Sequence, residues 1–174
     1  MASLASKANV EGEEAGQPKE KSKLPGIIVG VDGSDHSGRA LEWAIREAAV
    51  RRVPLTVLTV QQPAITAYWG AGAAVPCPYP YDQDLAKQAL KLAQEETEST
   101  LQTVRPESRP ASVTVKAVVG LPAETLLQAT RGADMLVVGS RGAGGFKRLL
   151  LGSVSTQVTH HAHCPVVIIP DDDI

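Results

Sequence analysis

Residues 134–170 read DMLVVGSRGAGGFKRLLLGSVSTQVTHHAHCPVVIIP. Met135 to Gly139 is a short apolar run without polar alternation, the pattern of a strand buried on both faces of a parallel sheet. Glycines follow at 142, 144 and 145, and Gly152-Ser153 then opens a stretch predicted to be helical to about His161. Pro165 to Ile169 is a second apolar, β-branched run. Strand, helix and strand in this order make a right-handed crossover between parallel strands.

The same alternation extends upstream. Gly26 to Asp32 (GIIVGVD) reads as a central strand. Ser37 is expected to cap a helix running to about Arg52, with Leu41, Ala44, Ile45 and Ala48 on its inner face and Trp43 packing on its flank. Pro54 to Val60 (PLTVLTV) and Ser112 to Val119 read as further strands. Helices from Asp82 to about Thr103, and from Pro122 to near Arg131, complete the series. The expectation is one doubly wound α/β domain over residues 25–174, a five-stranded parallel sheet with helices on both faces. Residues 1–24, mixing Glu and Lys with Gly, Ser and Pro, read as a disordered tail. The Gln61 to Tyr81 connection holds all three tyrosines and Trp69. It reads as a cover over a ligand site, a subunit contact or a plain mobile loop.

Composition narrows the function. The chain has 174 residues, of which 43% are hydrophobic and 3% aromatic, so its core must be built from aliphatic side chains. A formal net charge of −2 offers no basic field for a phosphate backbone, so nucleic acid is not the expected partner. No apolar run approaches the roughly 20 residues that span a bilayer, so no membrane is expected either. The N-terminus lacks a secretory apolar core, and Cys77 and Cys164 form neither a disulfide framework nor a zinc motif. A cytoplasmic location is expected.

In doubly wound sheets ligands bind beyond the carboxyl ends of the strands, where strand order reverses. Gly139 ends a buried strand, and its missing side chain leaves room for a sugar or phosphate against the backbone. Gly142, Gly144 and Gly145 are expected to take positive φ and turn successive N–H groups inward. At Gly152-Ser153 the unpaired first-turn N–H groups and the helix dipole favour a phosphate, and the Ser153 hydroxyl adds a donor. Ser140 lies in the same loop, and Arg141, Lys147 and Arg148 bring cations to it. The plainer alternative is a tight turn whose serine only caps its helix. Asp32, ending the first strand, reads as an acceptor for a ribose hydroxyl, a ligand for a phosphate-bridging cation, or the start of an Asx-type turn with Gly33.

Other motifs fail. The chain contains no G-x-x-x-x-G-K-[ST] and no G-x-S-x-G, and Lys147 stands where G-x-G-x-x-G needs its last glycine. Asp32 to Ser37 (DGSDHS) only faintly echoes the loop of ATP pyrophosphatases, lacking its leading Ser and second Gly. His160, His161, His163 and Cys164 cluster at a helix end, where cations complement the dipole without any metal.

The spacing Gly139-x2-Gly142-x9-Gly152-Ser153 matches the G-2x-G-9x-G-[ST] signature of ATP-binding universal stress proteins. The segment IIVGVDGSDHS is similar to that family's opening strand, and the resemblance covers about Pro25 to Pro170. It implies a flavodoxin-like strand order, 3-2-1-4-5, with the first and fourth strands at the switch point. It also implies an adenine nucleotide, ATP with Mg2+ or Mn2+, as ligand. Gly30 and Asp32 would then flank the adenosine, Val60 would meet the adenine edge, and Gly139 would lie by the ribose. Gly142, Gly145, Gly152, Ser153 and Val154 would surround the phosphates. A nucleotide-dependent stress regulator follows from the resemblance, with a cyclic AMP binder or a slow ATPase as alternatives. It further implies a homodimer through the last strand, Val166 to Ile169.

Overall fold

The computed structural model describes residues 26–62, 81–143 and 150–170, except for the side chains of 81–83. The tail, most of the Gln61 to Tyr81 connection, Cys77, and Gly144, Gly145, Lys147 and Arg148 of the glycine loop lie outside the described residues. Five strands, Ile27–Val31 (β1), Leu55–Gln61 (β2), Val113–Val119 (β3), Met135–Gly139 (β4) and Val166–Ile169 (β5), alternate with helices. The helices are Asp35–Arg51 (α1), Tyr81–Thr103 (α2), Pro122–Ala129 (α3) and Ser153–His161 (α4), with a 3-10 turn at Pro106–Ser108. All pairings are parallel, in the order β3-β2-β1-β4-β5, the flavodoxin-like order.

The two-residue period of the strands divides the core. Ile27, Val29 and Val31 of β1, with Leu55, Val57 and Val137, pack under Leu41, Ala44, Ile45 and Ala48 of α1 and Ala93 of α2. Ile28, Leu58, Leu136 and Val138 face the other way, under Leu126 of α3 and Val158 of α4. Trp43 packs on the rim of the first layer. The burial explains why β1, β2 and β4 are legible as unbroken apolar runs: each has helices on both faces.

The start of α1 differs from expectation. Ser34, not Ser37, is the N-cap: it is extended (φ −82°, ψ 157°), and its Oγ accepts the Ser37 N–H at 3.2 Å. The chain leaves β1 through a tight turn at Asp32-Gly33, with Gly33 at φ +77°, so the helix begins three residues earlier. Ser37 is buried in the first turn and donates its hydroxyl to the Ser34 carbonyl at 2.8 Å.

Gly26 supports the opposite end of the sheet. At φ +88° it directs Ile27 N–H to the Pro54 carbonyl (2.9 Å), while its own carbonyl accepts Asp134 N–H (2.8 Å). One residue thus joins the entrances of β1, β2 and β4.

Candidate functional site

The crevice at the centre of the sheet is written in its register. β1 stays paired with β2 as far as Val31↔Thr59, and β4 with β5 as far as Gly139↔Ile169. Between themselves β1 and β4 pair only at Ile27↔Met135, Ile28↔Leu136 and Val29↔Val137. Beyond that point they diverge, because α1 leaves β1 on one face and α4 follows β4 on the other. This is the switch point at which doubly wound sheets bind ligands.

Two helix N-termini reach this crevice, and they are not equivalent. That of α1 is capped by the Ser34 hydroxyl and carries Asp35 in its first turn, which disfavours an anion. That of α4 has Gly152 at the N-cap, no side-chain cap and no acidic residue in its first turn. Ser153, its first residue, is exposed. Of the two, the N-terminus of α4 is the one whose electrostatics favour an anion.

Gly139 has a packing reason in addition to the expected one. A Cβ there would come within 2.9 Å of the His36 backbone, so the missing side chain admits the first turn of α1. Gly142, expected at positive φ, is not: among the described glycines only Gly26 and Gly33 are. It is glycine for space, since a Cβ would overlap the Oδ2 of Asp32. Gly152 lies against Arg141 and donates its N–H to the Ser140 carbonyl at 2.8 Å. Ser140 is buried, and its N–H bonds the Ile169 carbonyl at 2.8 Å. It anchors the neck of the loop by its backbone.

Asp32 spans the crevice. Its Oδ1 accepts the Ser34 hydroxyl (2.6 Å) and N–H (3.1 Å), forming an Asx-type turn through Gly33. Its Oδ2 accepts the Ala143 N–H at 2.8 Å, from the far side of the switch point. A carboxylate offers about four acceptor positions, so three donors leave room for one more, such as a sugar hydroxyl. Burial raises its pKa, but the hydrogen bonds from the Ser34 hydroxyl and from the N–H groups of Ala143 and Ser34 outweigh this. Together they hold the carboxyl below its ordinary 3.8. A depressed folded-state pKa contributes stability above the unfolded value, which is lost as pH falls through the folded one. Urea midpoints of wild type and Asp32→Asn should therefore differ above about pH 4 and converge under stronger acid. A constant gap across that range would show that the carboxylate charge contributes nothing.

The remaining residues group as follows. Val60 lies one position beyond Thr59, the partner of Val31, and so sits level with Asp32 on the neighbouring strand. Gly30 lies deeper, where a Cβ would press on Leu126 and Val138 at 3.2 and 3.3 Å. Its small size serves α3 packing. Val154 packs on the α3/α4 layer, Arg141 is half-buried at the neck, and Gly145 lies outside the described residues.

Two polar residues here escaped sequence reading. Ser155 is buried and donates its hydroxyl to the Gly139 carbonyl at 2.7 Å. Glu96, half-buried on α2, comes within 3.3 Å of where a Gly38 Cβ would stand. Burial pushes its carboxyl up, and the nearby charge of Asp32 adds to the effect. Neither belongs to a local motif. At the far end of α4, His160 and His161 stand with ring centroids 6.1 Å apart, and the His163 N–H bonds the Thr130 hydroxyl.

Comparisons with known proteins agree with this architecture. A profile described as the Universal stress protein family matches residues 26–170. A universal stress protein of Mycolicibacterium smegmatis is 38% identical over 153 residues, covering 85% of this chain and 49% of the relative. One from Mycobacterium tuberculosis is 38% identical over 160 residues, covering 87% and 50%. The chain thus spans about half the length of the curated relatives it matches. Among solved structures, UspA of Lactobacillus plantarum superposes with a TM-score of 0.60 at 21% identity, covering 85% of this chain and 99% of that one. A universal stress protein in complex with cAMP superposes with a TM-score of 0.56 at 25% identity, covering 86% and 98%.

Proposed function

The chain belongs to the universal stress protein family, and we propose that it binds ATP in the β1–β4 crevice and acts as a nucleotide-dependent stress-response regulator. The observation that carries this reading is the open N-terminus of α4, uncapped and free of acidic residues beside the switch point. The phosphates would lie against Gly142, Gly152, Ser153 and Val154, and the ribose near Asp32 and Gly139. Gly145, which the family resemblance also sets near the phosphates, lies outside the described residues. The adenine would meet the backbone around Val60 and Gly30. Asp32 already accepts three hydrogen bonds, and among the described residues no group of three or more His, Cys, Asp or Glu could hold a metal ion. Mg2+ or Mn2+ would therefore be held mainly by the phosphates. The protein would pair with a second copy through β5, an edge strand whose four apolar residues are only half-buried. A cytoplasmic site of action fits this reading, and no described helix is long and apolar enough to cross a membrane.

A cyclic AMP binder is the second reading, favoured by the relative solved with that ligand. Titration calorimetry with Mg2+ should find ATP binding more tightly than AMP or cyclic AMP. The reverse order would establish the cyclic-nucleotide reading. ADP release under saturating ATP should stay far below the median enzyme rate of about 10 per second. Fast turnover would make the protein an ATPase.

A further inference from the structure

Hydroxyls on the helices of this fold mostly serve their own helix. Thr97 donates to the Ala93 carbonyl, Thr100 to Glu96 and Thr159 to Ser155, each four residues back. Ser155 does something else. Its buried hydroxyl crosses 16 residues to the Gly139 carbonyl, the last of β4, at 2.7 Å. At the next strand-end carbonyl, Ser140, the Gly152 N–H arrives at 2.8 Å. Two consecutive carbonyls at the end of β4 therefore hold the N-cap and third residue of α4. Two attachment points fix the direction of a helix axis, whereas one leaves it free to pivot. The N–H groups of Ser153 and Val154 lie between those points in the first turn, where an α-helix provides no acceptor of its own.

From this arrangement we infer that Ser155 is a positioning residue for the phosphates, aiming the first-turn N–H groups of α4 without touching the ligand. The inference rests on the nucleotide-binding reading above and adds a residue outside the glycine signature. Loss of the hydroxyl leaves the Gly139 carbonyl without that donor and lets the helix start swing on its remaining bond. Phosphate contacts weaken, while the adenosine contacts proposed at Gly30, Asp32 and Val60 lie off α4.

The test compares wild type, Ser155→Ala and Ser155→Thr, with ATP affinity measured by calorimetry and adenosine affinity by ligand-observed NMR. Ser155→Ala should bind ATP about tenfold more weakly, equivalent to about 1.4 kcal/mol, with adenosine unchanged. Ser155→Thr, which keeps the hydroxyl, should return to within about twofold of wild type. If alanine prevents folding, Ser155→Cys, of similar size and a weak donor, should show the same selective loss in smaller measure. Unchanged ATP affinity, or equal losses for ATP and adenosine, overturns the inference and leaves Ser155 a packing residue. A wild type that binds neither ligand overturns the nucleotide reading itself, which is a separate result.

Discussion

Gly142→Val should abolish ATP binding, raising the dissociation constant by at least about 100-fold, or some 2.8 kcal/mol. The cause is space. A Cβ at 142 overlaps Oδ2 of Asp32, which is held in place by Ser34 on one side and the Ala143 N–H on the other. Valine must therefore displace the carboxylate, break the bond that closes the loop on β1, and put two methyl groups where phosphates approach. Gly142 lies outside both core layers, so circular dichroism should still report the native fold, with the melting temperature lowered only by the loss of the Asp32 contact. Gly142→Ala should fall between the two. Wild-type ATP affinity in the valine variant would show that the phosphates do not lie against this loop.

Gly26→Val should carry the largest cost in stability, at least about 3 kcal/mol. At φ +88° an L side chain is strained, most of all a β-branched one, and a Cβ there overlaps the Pro54 carbonyl oxygen. That oxygen accepts the Ile27 N–H, and the Gly26 carbonyl accepts Asp134 N–H, so relief by movement breaks the entrances of three strands. For a domain of this size such a loss lowers the melting temperature by about 10 °C. Thermal unfolding and urea titration should agree on the direction. A variant that melts with the wild type would mean that this turn can reorganise at no cost.

The central strands and the helices between them were readable in the chain because burial on both faces leaves unbroken apolar runs. The apolar run Met135 to Gly139 coincides with β4 residue for residue, and the Leu41, Ala44, Ile45, Ala48 stripe is fully buried as its spacing requires. The 3-2-1-4-5 order came from the family signature, since alternation alone is compatible with other orders. What periodicity misses is contact between distant segments. Nothing local says that His36 would press on Gly139, or that Gly142 would be glycine because of a carboxylate more than a hundred positions earlier. Ser155 looks like an ordinary helical serine until the end of β4 is beside it. The expected cap of α1 differs from the observed one for a local reason: Ser34, Asp35 and Ser37 each suit an N-cap, and the turn at Gly33 selects Ser34.

The short seam between β1 and β4 also has a mechanical meaning. Three paired positions join a raft of β3, β2 and β1 to a raft of β4 and β5. Past the seam, Asp32 ties one raft to the other through its hydrogen bond from the Ala143 N–H. A molecule gripped by both lips would act as a rivet, and its binding free energy would add directly to the work of shearing one raft along the other. Occupancy would then be expressed as stiffness across the middle of the sheet, a signal that a second protein could sense at either edge without any bond in the nucleotide being broken.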